Sequence, residues 1–339
     1  MKLLFIPLLI ITFACFGQSS IQTYCDTRLL TTLKSQQAEN GLIILKEVST
    51  GKIIATSAFV SKKTKTGIVY VKDSSILNAK VEPGSLMIPI STAYLIDNTN
   101  LDIKDSVNIE NGTTTIRGLK IYDSENHEIK NATIKRVNEI SSNVGISKLY
   151  DINVNYSQTS NFIDAVNNYI LDSAYFGSID KTEINLPFVT FGYGLMLTPN
   201  QVLNFYNRVA NNDQKMFTKS STAFKMQEIL EGVSLNGTSK LLLKNSVISI
   251  SSKTGTTLAV SKSGYSTKQY YSSMSGYAPT SSPKYSCIVL IKCKLGSPQF
   301  YGAVVAGPVF RDIFEIPDQD IDVVIELIGG VEVARELIL

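Results

Sequence analysis

Histidine is nearly missing from this chain: His127 is the only one in 339 residues. No second histidine can join it, and no cysteine pair stands at metal-ligand spacing, so the sequence offers no metal site and no cofactor is expected. His127 itself falls in the polar segment YDSENHEIKN, which reads as surface rather than as a catalytic position. Cysteine is scarce as well. Of four, Cys15 lies in the leading apolar segment, and Cys25, Cys287 and Cys293 are an odd number that cannot all pair within the chain. Cys287 and Cys293 are six apart in YSCIVLIKCK, an even separation that puts both on one face of a strand, too far apart along it to bond each other. Both read as packing residues. A basic run is also lacking. The 32 Lys and Arg are spread among 29 Asp and Glu for a net charge of +3, which gives no reason to expect a nucleic-acid partner.

The chain does have enough apolar residues, 44%, to bury a sizeable core in one large domain or two ordinary ones. Its opening, MKLLFIPLLIITFACFGQ, places a lysine before an apolar run too short for a membrane span and then small residues, the layout of an export signal. Cleavage after Gly17 would make residues 1–17 a signal peptide, with Cys15 after Ala14 as the competing lipid-attachment site. The expected location is the periplasm, or attachment to the periplasmic face of the inner membrane.

Residues 40–60, NGLIILKEVSTGKIIATSAFV, read as a β-hairpin turning at Thr50-Gly51. A long middle region follows. In TPNQVLNFYNRVANN, Thr198 sits at a cap position, Pro199 at the first helical position, and Val202, Tyr206, Val209 and Ala210 at helical spacing. Residues 246–257 and 269–279 read as strands, and KYSCIVLIKCK as a nearly continuous apolar central strand. Strands at both ends of a mostly helical middle predict an α+β domain, an antiparallel sheet flanked by helices.

Three short motifs occur in order. VEPGSLMIPIS carries Ser85, NEISSNVGISKLY carries Ser141-Ser142-Asn143, and ISISSKTGTT carries Lys253-Thr254-Gly255-Thr256 on a predicted strand. Serine enzymes that recognise penicillin use S-x-x-K, S-x-N and K-T-G in this order. With these motifs and two flanks, FGYGLMLTPNQVLNFYNRVANN and YSSMSGYAPTSSPKYSCIVLI followed by YGAVVAGPVFRDI, the chain from residue 24 to residue 315 resembles the transpeptidase domain of class B penicillin-binding proteins, particularly the division-associated group. The resemblance implies a serine β-lactamase/transpeptidase-like fold. It also implies peptidoglycan stem peptide and β-lactams as ligands, and cell-wall or division proteins as further partners. Class D β-lactamases and antibiotic-sensor domains share the three motifs, but the Gly-Tyr-Gly and Thr-Pro flank favours the synthetic branch. No pedestal module of the kind that usually precedes this domain stands between the leading segment and the first strand.

The resemblance makes Ser85 the counterpart of the nucleophile and assigns Ser141, Asn143 and Lys253 to the catalytic group. The backbone N–H groups of Ser85 and Thr256 become the oxyanion hole, and Lys253, Thr254, Gly255 and Thr256 the strand that holds a substrate carboxylate. One position departs. Ile88 stands where the family has the lysine that accepts the serine proton, and isoleucine accepts nothing. General-base assistance is worth about 10²–10⁴-fold, so a domain that binds ligand but reacts slowly is expected. The alternative is an active D,D-transpeptidase or carboxypeptidase using another base. Lys253 is the candidate, although an ordinary lysine pKa makes it a poor one unless the group is desolvated. Two other S-x-x-K strings, Ser178 to Lys181 and Ser281 to Lys284, read as loops.

Residues 318–339, DQDIDVVIELIGGVEVARELIL, differ in character from what precedes them and resemble the strand-then-helix segment of the nucleotide-binding domain of homoserine dehydrogenases. Either they are a C-terminal helix of the main domain or a misjoined reading frame. On their own they make no cofactor site.

Overall fold

The structure is a computed structural model that describes residues 6–125, 127–171, 175–176, 186–261 and 264–315. Helix α1 (Ile6–Gln36) leads into three antiparallel strands, β1 (Asn40–Glu47), β2 (Ile53–Thr64) and β3 (Gly67–Lys72). A 3₁₀ turn over Gly84–Leu86 then opens α2 (Met87–Asn98). The middle region continues through β4 (Ser106–Asn108), β5 (Thr113–Ile116), β6 (Leu119–Tyr122), β7 (Asn131–Thr133), α3 (Ile134–Glu139), α4 (Asn143–Asn153) and α5 (Thr159–Ile170). After these come β8 (Tyr175–Phe176), α6 (Leu186–Val189), β9 (Leu195–Met196), α7 (Pro199–Ala210), α8 (Thr222–Asn236) and α9 (Lys240–Leu243). The chain then returns to the sheet through β10 (Ser251–Ser261), β11 (Gly264–Ala278) and β12 (Tyr285–Lys292), and α10 (Gly302–Phe314) closes the described part.

A strand that is apolar without alternation must be covered on both faces, and β1 and β12 are. Their side chains alternate between two cores: Leu42, Ile44, Ile288 and Leu290 face the helices of the middle region, while Ile43, Leu45, Cys287, Val289 and Ile291 face α1 and α10. The sheet order is β10-β11-β12-β1-β2-β3, so the two central strands come from opposite ends of the domain and β10 is an edge. The expected α+β architecture with a helical middle region is present. So is the hairpin at Thr50-Gly51, where the Gly51 N–H donates to the Glu47 carbonyl at 2.9 Å. Helix α7 starts as its sequence predicts, with a reciprocal cap between Thr198 and Gln201.

Between the leading segment and the first strand, α1 continues to Gln36. Ile21, Cys25, Leu29 and Leu33 recur every four residues and form one buried stripe against the sheet. The strand expected over 246–257 begins only at Ser251, since residues 246–250 connect α9 to the sheet and the Val247 N–H donates to Glu315 Oε1 at 2.8 Å. Cys25, Cys287 and Cys293 are free, buried thiols of the α1–α10 core. Burial pushes Cys25 up to about 12 and Cys293 up to about 11, which keeps both protonated and unreactive. Among the described residues, no helix is long and apolar enough to cross a membrane. Residues 318–339 lie outside the described residues.

If the α1 stripe is part of the core, Leu29→Ala should lower the unfolding free energy by about 2–5 kcal/mol. The exposed neighbour Thr27→Ala should change it by no more than about 0.5 kcal/mol. Urea denaturation of both variants measures the difference, and equal midpoints would place α1 outside the cooperative unit.

Candidate active site

Three pieces of chain meet at the free edge of the sheet. The first is the turn that carries Ser85. Gly84 adopts φ +54°, and a β-carbon there would lie 2.1 Å from Thr257 Cγ2. On its other side Gly192, at φ +89°, comes so close that a β-carbon would lie 2.3 Å from the Gly84 carbonyl oxygen. Only glycine fits either position. The turn is therefore pinched between β10 and the Gly192–Gly194 loop. Glu82 fastens the same contact, its Oε1 accepting from Tyr265 Oη at 2.6 Å and from the Gly194 N–H at 2.7 Å. Burial raises the pKa of Glu82, against the opposing effect of those two donors. Tyr206 of α7 donates to the Leu86 carbonyl at 2.8 Å.

The second piece is the junction of α3 and α4. Ser142 and Asp123 share the capping of α4: Ser142 Oγ accepts from the Gly145 N–H at 2.9 Å and donates to Asp123 Oδ2 at 2.7 Å, while Asp123 Oδ1 accepts from the Val144 N–H at 2.9 Å. Ser141 is left free of capping duty and sits in the left-handed region at φ +59°, a strained conformation for serine that turns it into the cleft. Asn143 does not line the cleft. Its Nδ2 donates to the Tyr122 carbonyl at 2.9 Å, and its Oδ1 is buried without a partner. His127 is part of this support, with Nε2 2.8 Å from Asp123 Oδ2.

The third piece is β10 itself. Lys253 is fully buried, and its Nζ donates to Ser141 Oγ at 2.7 Å and to the Thr254 carbonyl at 2.8 Å. Among the described residues no carboxylate pairs with it, and burial pulls its pKa down to about 7. Gly255 is enclosed: a β-carbon there would meet Leu86 Cγ at 2.9 Å, and one on Gly302 would lie 2.6 Å from the Gly255 carbonyl oxygen. Thr254 Oγ1 bonds Thr238 Oγ1 at 2.7 Å, and Thr256 Oγ1 accepts from the Gly302 N–H at 3.1 Å. The N-terminus of α10 thus adds its positive end to the donors on β10.

Ser85, Ser141, Thr254 and Thr256 line one open cleft, together with Ser124, Glu125, Ile140, Thr238 and Tyr301–Ala303. Ile88, one helical turn after Ser85, is fully buried in the core of the middle region among apolar side chains. Thr238, Glu125 and Tyr301–Ala303 escaped the sequence reading because they belong to no motif. The only hint is that Tyr301–Ala303 open YGAVVAGPVFRDI, one of the segments that carry the resemblance. Ser281 and Lys284 lie in the β11–β12 connection, away from this cleft, and Ser178 to Lys181 lie outside the described residues.

A family model described as the penicillin binding protein transpeptidase domain matches residues 41–315. The peptidoglycan D,D-transpeptidase FtsI of Buchnera aphidicola subsp. Schizaphis graminum is 27% identical over 87% of this chain and 56% of its own length. FtsI of Escherichia coli K12 is 25% identical over 86% of this chain and 53% of its own. The chain therefore spans just over half the length of these relatives. Among solved structures, the apo transpeptidase domain of Burkholderia pseudomallei penicillin-binding protein 3 superposes with a TM-score of 0.70 at 23% identity, over 88% of this chain and 93% of that one. Penicillin-binding protein 3 of Mycobacterium tuberculosis, complexed with aztreonam, gives 0.72 at 17% identity, over 87% and 75%.

The depressed pKa of Lys253 has a measurable consequence. Between about pH 7, its folded value, and 10.5, the ordinary value of a lysine, the unfolded chain holds a proton that the folded chain lacks, so this group makes stability rise with pH. The stability gap between wild type and Lys253→Met should therefore shift in favour of wild type from pH 7 to pH 9. Lys46, pulled down to about 8 by burial, acts with the same sign in both proteins and cancels. A gap that does not change with pH would mean that Lys253 stays cationic.

Proposed function

The chain belongs to the penicillin-binding protein transpeptidase family, and from that premise we propose that it binds D-alanyl-D-alanine stem peptides and β-lactams at the Ser85 cleft but acylates them slowly. The observation that carries this reading is Ile88, a fully buried apolar side chain one helical turn from Ser85. It removes the proton acceptor at helical spacing and leaves the rest of the cleft in place. The extended ligand lies along the free edge of β10, its terminal carboxylate toward Thr254 and Thr256 and its carbonyl oxygen toward the N–H groups of Ser85 and Thr256. Export to the periplasm, the compartment of such ligands, is part of the proposal. Loss of residues 1–17 would spare Ile21, Cys25, Leu29 and Leu33 of the buried α1 stripe.

One observation favours a residual activity over none. Lys253 is held near neutrality in pKa and bonded to Ser141, which shares the cleft with Ser85. In its neutral form it takes the Ser85 proton through the Ser141 hydroxyl as Ser85 Oγ bonds to the carbonyl carbon. The proton then returns to the departing amine, D-alanine for a peptide or the opened ring nitrogen for a β-lactam. The covalent product is the acyl ester of Ser85. This route has one more proton transfer than a base adjacent to the serine, and it is correspondingly slow.

Labelling of the purified protein with fluorescent penicillin tests both parts. Wild type should label slowly, and Ile88→Lys should raise the rate by up to about 10²–10⁴-fold. The gain should fall short of that ceiling because a buried lysine must find hydrogen bonds in a space shaped for isoleucine. The wild-type rate should climb as pH rises through about 7, where Lys253 becomes neutral, and should vanish in Lys253→Ala. Rapid stoichiometric labelling of wild type would refute impairment.

A further inference from the structure

The cleft carries one carboxylate that this chemistry does not use. Glu125 is exposed and, among the described residues, is the only charged residue in the lining. No ion pair or hydrogen bond ties its carboxylate to another group among the described residues. Yet the chain on either side is anchored. The Asp123 N–H donates to the Gly112 carbonyl at 2.9 Å, and the Asp123 carboxylate gathers Ser142, Val144 and His127 within hydrogen-bond distance. Glu125 thus lies two residues from each of two fixed points, Asp123 and His127. It is an unpaired anion mounted on the wall of the cleft.

The rest of the lining has the opposite character. Thr254, Thr256 and the positive end of α10 suit an anion, and Lys253 lies beneath them. A cleft with donors on one part of its wall and a lone carboxylate on another matches a ligand that carries both a carboxylate and a cation. We propose that Glu125 is a specificity-determining residue that binds a primary ammonium group on the peptide ligand. This rests on the stem-peptide reading above. The ammonium comes either from a side chain of the bound peptide or from the amino group of a second, acceptor peptide.

Isothermal titration of wild type and Glu125→Gln distinguishes these sources. One arm compares Nα-acetyl-L-lysyl-D-alanyl-D-alanine with its Nα,Nε-diacetyl analogue. The other titrates D-alanine amide, an acceptor amine, into protein saturated with the diacetyl peptide. Because Glu125 is exposed, the preference for the free amine should be about two- to five-fold in wild type, the range of an exposed ion pair. It should shrink at high salt and disappear in Glu125→Gln, while binding of the diacetyl peptide is unchanged. A Glu125-dependent preference in either arm supports the proposal and identifies the source of the amine. Equal binding of both peptides, with D-alanine amide indifferent to Glu125→Gln, overturns it and leaves the stem-peptide reading standing. Failure of either peptide to bind overturns both.

Discussion

Gly84 and Gly192 meet with no side chain between them, and on the far side of Gly84 the Thr257 side chain of β10 is equally near. This contact fixes the height of Ser85 above the strand, and every other feature of the cleft is referred to it. Glu82, Tyr265 and Gly194 lock the contact laterally, and Tyr206 holds the Leu86 carbonyl from the helical side. With the serine turn so placed, β10 presents Thr254 and Thr256 on one side of the opening. The α3–α4 junction presents Ser141 on another. A substitution at Gly84 or Gly192 would disturb the site more than one at any of the polar residues it displays.

Ile88 and Lys253 are both fully buried. Desolvation alone depresses Lys253, and it suffices to bring the group to about 7. The condition under which Lys253 could serve as a base, desolvation, is met by its burial, a property that KTGT as a string of letters does not carry.

Much of the fold was legible because period-two and period-four patterns have few physical solutions. The continuous apolar runs of β1 and β12 demanded cover on both faces, and the Thr198-Pro199 start of α7 carried its own cap. The α1 stripe was missed because the eye stops at the export-like segment, although Cys25, Leu29 and Leu33 continue at helical spacing. At the site, motif order brought Ser85, Ser141 and the β10 threonines to one cleft. Asn143, whose amide donates to the Tyr122 carbonyl, is not among the residues that line that cleft. Motif order was silent on Glu125, Thr238 and Gly302, whose roles arise from proximity in space and from no local pattern.

The position of β1 next to β12 has a consequence for how the molecule assembles. Their register pairs Asn40 with Lys292 and Glu47 with Tyr285, so the central ladder joins segments separated by most of the chain. Closing so long a loop costs entropy that local contacts cannot offset in advance. The hairpin of β1 and β2 and the helical insert can form early. The sheet that seats Lys253 beside Ser141 cannot close until β12 is present, so the cleft is among the last parts of the domain to exist.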